Sequence, residues 1–197
     1  MLNRVFRQLG ALEIPKDYSV DLTGKAREVQ ESFRRIAFAI ALALILNYMI
    51  MAAQFESFSH PFIIMFAVPL GLFGVAVALF ITGTAISVIS LLGILILGGN
   101  VVNNAIVLID FINSARRGGT ELVQACIEGV FVRFRPIIMS SITTVVGLIP
   151  LALGIGEGAE LEAPLAIAMI GGLLSGTLLT LYVIPAIYIL VTRFLDR

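Results

Sequence analysis

The sequence has no tryptophan, one cysteine, one histidine and little charge. Each shortage excludes something. A single cysteine, Cys126, cannot form a disulfide within the chain, and a lone cysteine in apolar surroundings reads as a small hydrophobe. One histidine and one cysteine far apart make no metal-ligand cluster. His60, beside Pro61, reads as a residue of the membrane interface, not as a catalytic base. Without tryptophan, any aromatic belt must come from Phe and Tyr. No GxxxxGK[ST] loop is present, and no nucleophile and base stand at a telling spacing, so the sequence does not read as an enzyme. The formal net charge is zero, which gives no bulk attraction to nucleic acid. The opening MLNRVFRQLGALEIPKD scatters charge through itself and has no continuous apolar core, so it does not read as a signal peptide.

What the sequence has in abundance is hydrocarbon. Of its 197 residues, 59% are hydrophobic and 13% charged, with a mean hydropathy of +1.04. Soluble domains average about 45–50% apolar and about 25% charged. The composition is that of an integral membrane protein. Apolar runs over residues 36–53, 62–82, 86–113, 137–155 and 165–191 are each long enough to cross a bilayer. Backbone groups in lipid must pair within their own segment, so each run is predicted to be a helix. The runs are too long, and alternate too little, for barrel strands.

Residues 1–35 are polar and predicted to lie outside the membrane. Met1–Leu12 suits a short amphipathic helix stopped by Pro15. Tyr18–Leu22 alternates like a strand, and Lys25–Arg35 reads as a helix entering the first span. So few apolar side chains cannot build a core, so the segment reads as the end of a larger domain or as a tail. Residues 120–135 place Val123, Cys126, Ile127, Val130 and Phe134 on one side and Glu121, Gln124, Glu128 and Arg135 on the other. With Thr120 as N-cap and Pro136 as terminator, this predicts a separate interfacial helix.

Charge sets the expected orientation. Arg116, Arg117, Arg133 and Arg135 follow the third span, whereas Glu157, Glu160 and Glu162 follow the fourth. The positive-inside rule puts the arginines in the cytoplasm and the glutamates outside. The N-terminus then lies outside and the C-terminus inside. Arg34 and Arg35, beside the first span, strain the rule unless residues 1–35 belong to a large translocated domain.

The stretch of greatest interest is GGNVVNNAIVLIDFINSARR, residues 98–117. At about 100° per residue, Asn103 and Asp110 share a helix face, with Asn100 close by. Asn104 stands beside them. Polar groups in hydrocarbon turn towards protein or a water path. This face is either part of a transport route or a hydrogen-bonding seam between helices. On the fourth span Ser140, Thr143, Thr144 and Gly147 form a stripe that either meets the asparagines or bonds back to its own helix. Gly171, Gly172, Ser175 and Gly176 on the fifth span, and Gly74 and Ala78 on the second, are spaced for close helix packing. Pro69, Pro150 and Pro185 are candidate kinks.

AAQFESFSHPFIIMFAVPLGLFG, GGNVVNNAIVLIDFINSARRGG and RFRPIIMSSITTVVGLIPLALGIGEGAELEAPLAIAMIGG occur in this order. Together they resemble the C-terminal membrane half of resistance-nodulation-division (RND) efflux pumps, most closely the hydrophobe/amphiphile exporters. The resemblance runs from about Ile14 to Arg193. It implies an all-α membrane fold whose five spans are the last five of twelve, plus the interfacial helix. Residues 1–35 would be the end of a periplasmic porter domain, and residues 36–197 the transmembrane domain. It further implies a fragment or split-gene piece of a proton-driven exporter in the bacterial inner membrane, with no cofactor beyond the proton gradient. Implied partners are the missing N-terminal half, two further copies in a homotrimer, a periplasmic adaptor and an outer-membrane channel.

The resemblance also implies a proton relay through the third span. Asn103 stands where many members have lysine. Ser140 matches a hydroxyl that is usually threonine, and Arg135 matches an arginine just before it. Asn104 would brace the turn. The family's essential aspartates lie on a helix this sequence lacks, and Asp110 is not their counterpart. Lipid export, assistance to protein secretion, or a scaffold without transport are the alternatives.

Overall fold

The computed structural model describes residues 24–195. The helix and strand expected before residue 24 lie outside them. Six helices follow in order: α1 (Gly24–Phe55), α2 (Ser59–Met65), α3 (Ala67–Thr82), α4 (Val88–Arg117), α5 (Leu122–Ala152) and α6 (Ala159–Leu195). Among the described residues there is no strand. With α2 and α3 counted as one crossing, five segments among the described residues are long and apolar enough to span a membrane.

Local chemistry sets the boundaries. Pro69 has no N–H to offer the carbonyl of Met65, and α2 ends at Met65. Phe66 bridges to α3 with a tighter bond, its N–H donating to Ile63 O at 3.2 Å. Gly83 closes α3 in the left-handed region, at φ 65°. A reciprocal cap starts α4: Ser90 N donates to Ser87 Oγ at 3.2 Å, and Ser87 N donates to Ser90 Oγ at 2.9 Å. Glu160 and Glu162 occupy the first turn of α6, where the helix dipole favours negative charge.

One expected boundary is corrected. The segment 120–135 is not a separate helix: α5 runs unbroken from Leu122 to Ala152 and contains Pro136. Losing one backbone bond at Pro136 is tolerable where flanking residues are helical and neighbouring helices hold both sides. Here Gly129 packs against Ile112 of α4, and Ser141 bonds Thr177 of α6 at 2.7 Å. Thr120 is also not the N-cap. Glu121 holds that position, with no side-chain cap bond. Pro150 and Pro185 likewise lie inside continuous helices.

The long helix α6 is the centre of the bundle and packs against α3, α4 and α5. Its seam with α3 is made of small residues. A Cβ on Gly171 would come within 2.6 Å of the Gly74 carbonyl oxygen, and one on Gly172 within 2.9 Å of Val75 Cγ2. Ser175 Oγ crosses the seam to donate to Leu70 O at 3.0 Å. Gly176 sits against Val101 of α4. The buried stripe of α4, including Leu97, Val101, Ala105, Leu108 and Ile112, faces this core. By contrast α1 touches only α2 and α4 among the described elements. Most of its apolar surface is uncovered, with Phe38 70% exposed.

Candidate functional site

The polar face of α4 lies opposite its buried stripe. Val101 and Asn103 are separated by about 200° around the helix. Burying the first therefore turns the second outward. Asn100, Asn103 and Asp110 are exposed and Asn104 is half-buried. Asn100 Nδ2 donates to Ile96 O, a long bond of 3.4 Å. The side chains of Asn103 and Asn104 have no hydrogen bond to any described residue. A primary amide carries two donors and an acceptor, so this face presents unused hydrogen-bonding capacity on a largely apolar surface. Beside it, a Cβ on Gly98 or Gly99 would meet nothing within 4 Å. Those two glycines line a narrow cavity of about 70 Å³, shared with Asn47 of α1.

The hydroxyl stripe of α5 is largely uncovered but differs in chemistry. Ser140 Oγ donates to Ile137 O at 3.0 Å, Thr143 Oγ1 to Met139 O at 2.8 Å, and Thr144 Oγ1 to Ser140 O at 3.0 Å. All three hydroxyl protons are spent within the helix. No hydrogen bond joins Ser140 to Asn103, although the hydroxyl oxygens remain able to accept. Arg135 is exposed and borders an open apolar groove of about 940 Å³ between α5 and α6. The four candidate relay residues are therefore not brought together by hydrogen bonds within the described chain.

A second polar cluster was not read from the sequence. Tyr188 on α6, only 1% exposed, donates its hydroxyl to Asn113 Oδ1 at 2.6 Å. Arg116 Nη1 donates to the same hydroxyl oxygen at 3.4 Å. The His60 ring stacks on Tyr188, with centroids 5.8 Å apart and planes at 19°. These groups come from three helices and are up to 128 positions apart by sequence number, from His60 to Tyr188. No local spacing signals them.

The pattern of the AcrB/AcrD/AcrF family matches residues 3–192. The chain belongs to this family of RND transporters. Over 189 residues it is 37% identical to the multidrug resistance protein MdtC of Proteus mirabilis (strain HI4320). The match covers 95% of this chain and 18% of that protein. It is 35% identical, with the same coverage, to the swarming motility protein SwrC of Bacillus subtilis (strain 168). In structure it resembles a heavy metal efflux pump in two crystal forms, with TM-scores of 0.77 and 0.80 and identities of 33% and 32%. Each of those alignments covers 98% of this chain and 19% of the pump. The chain thus spans less than a fifth of these relatives' length. The chain is a multi-pass membrane protein with the RND transmembrane fold.

Proposed function

We propose that this chain forms part of the membrane half of a proton-driven exporter of hydrophobic or amphiphilic compounds, with α4 contributing to its proton pathway. The observation that carries this reading is the uncovered polar face of α4. Unbonded amides are costly against lipid, so this face requires a polar partner from outside the described helices. A second membrane helix bearing carboxylates fits that need. Asn103 would report carboxylate protonation through its amide, Asn104 would brace the turn, and Ser140 would accept a bond from a protonated partner. Arg135 would act from the middle of α5, five residues before Ser140.

Three relatives with different named tasks match this segment at 33–37% identity. That supports a shared role in energy coupling here, with substrate choice made elsewhere. No cofactor and no nucleic acid are required. The setting we propose is the bacterial inner membrane, in a homotrimer working with a periplasmic adaptor and an outer-membrane channel. The test is direct. In cells expressing a complete protein that contains this segment, a protonophore should stop extrusion of a hydrophobic dye while ATP is maintained. Extrusion that continues without the proton gradient would sink the proposal.

The arginines at the junction of α4 and α5 support a cytoplasmic position for that junction, with the N-terminal side of α1 periplasmic. Cys126 tests this without engineering. It is 2% exposed and is the only cysteine. It should react slowly with a membrane-permeant maleimide in the folded chain and fully after denaturation. An impermeant thiol reagent applied from the periplasm should not label it. Rapid labelling from that side would reverse the orientation.

A further inference from the structure

Where the ends of three spans meet, His60, Asn113, Arg116, Arg117 and Tyr188 line a pocket of about 280 Å³. We infer that this pocket is a binding site for a phosphate-bearing anion, with the headgroup of an anionic membrane phospholipid as the ligand the location favours. It assigns these residues a role separate from the polar face of α4.

The chemistry of the lining is one-sided. Tyr188 spends its proton on Asn113 Oδ1, which leaves the amide Nδ2 of Asn113 as a donor with no described partner. Arg117 is exposed and makes no ion pair with any described residue. His60 Nδ1 is buried without a hydrogen-bond partner. Among the described residues, no carboxylate lines the pocket. Guanidinium and amide donors facing a common space, with no acidic group among them, select an anion. Phosphate oxygens suit arginine's fork, as carboxylate oxygens do.

Position then narrows the source. Arg116 and Arg117 end the α4 span, and His60 begins the next-door span at α2. Basic pockets between membrane helices at the headgroup level hold lipid phosphates. The Tyr188–Asn113 bond and the stacked His60 ring preform one wall, so the order is already present before a ligand arrives.

The test uses the full 197-residue chain in nanodiscs made of equal phosphatidylglycerol and phosphatidylcholine, read by native mass spectrometry. The wild type should retain phosphatidylglycerol preferentially. Arg117→Gln should reduce that preference by about fivefold, the effect of removing one arginine near an anionic surface. Arg34→Gln, exposed on α1 and outside the pocket, should leave it unchanged. Inorganic phosphate added to the detergent-solubilised chain separates the sources. If it leaves retained lipid in place, the site belongs to lipid; if it binds and displaces the lipid, the site takes free phosphate. Equal retention of both lipids with no phosphate adduct would overturn the inference. So would an Arg117→Gln variant that behaves as wild type, or an Arg34→Gln variant that loses as much. Circular dichroism checks that the variants fold, and the wild-type comparison needs no variant.

Discussion

In a complete exporter containing this segment, Asn103→Leu should collapse export while expression and assembly stay normal. Leucine is a strong helix former, and position 103 is exposed on α4, so neither the helix nor its packed stripe is disturbed. What disappears is an amide able to bond a carboxylate. A hydrogen bond to a charged group contributes about 1.5–3 kcal/mol. If that bond couples protonation to movement, its loss slows export by roughly tenfold to a hundredfold. A hydrogen bond that only joins helices contributes about 0.6 kcal/mol in membranes, roughly a threefold effect. Dye efflux by the variant, normalised to protein in the membrane, separates the two. Export slowed by about threefold or less would make Asn103 structural. Asn103→Gln, which keeps the amide on a longer stem, should restore part of the rate if the amide is what matters.

Gly171→Ala should destabilise the bundle, whereas Gly147→Ala should not. Both glycines are helical, and in isolation each replacement favours a helix by about 1 kcal/mol. Their surroundings decide the sign. At Gly171 a new Cβ would collide with Ala78 and approach the Gly74 carbonyl oxygen to 2.6 Å. Backbone and a methyl group cannot swing aside, so α3 and α6 must separate. Their separation also lengthens the Ser175–Leu70 bond. Overpacking of this kind costs about 1–3 kcal/mol. At Gly147 nothing lies within 4 Å of the added carbon, and the helix preference remains. Thermal unfolding in detergent should therefore show a lower midpoint for Gly171→Ala and an unchanged or higher one for Gly147→Ala. Equal midpoints would mean the two helices can part at no cost.

The spans were legible because length and apolarity are properties of a segment by itself, and backbone bonding in lipid admits one answer. The end of α5's first part was not. Pro136 is a strong stop in water, but α4 and α6 hold the chain on both sides of it, and no sequence window contains those helices. The hydroxyl stripe was legible as a stripe, while the partner of each hydroxyl was decided by its own helix. Asn113 and Tyr188 were invisible for a different reason. Each is unremarkable in its own segment, and only the closeness of α4 and α6, made possible by small residues such as Gly176, joins them.

The sparse attachment of α1 has a mechanical meaning. Its 32 residues form a rod of about 48 Å at 1.5 Å per residue. The rod ends in a tight turn at Glu56, the one described non-glycine residue with a positive φ, at 49°. Tyr48 Oη steadies that end by donating to Phe58 O at 3.2 Å. A rod anchored there is a lever: a tilt of about 5° at the turn carries the far end through about 4 Å for a helix of this length. Along the way the rod faces Gly98 and Gly99 across a narrow cavity, where α4 presents no side chain to resist it. A force applied at the start of α1 would be delivered to α4 within about one and a half turns of Asn100 and Asn103.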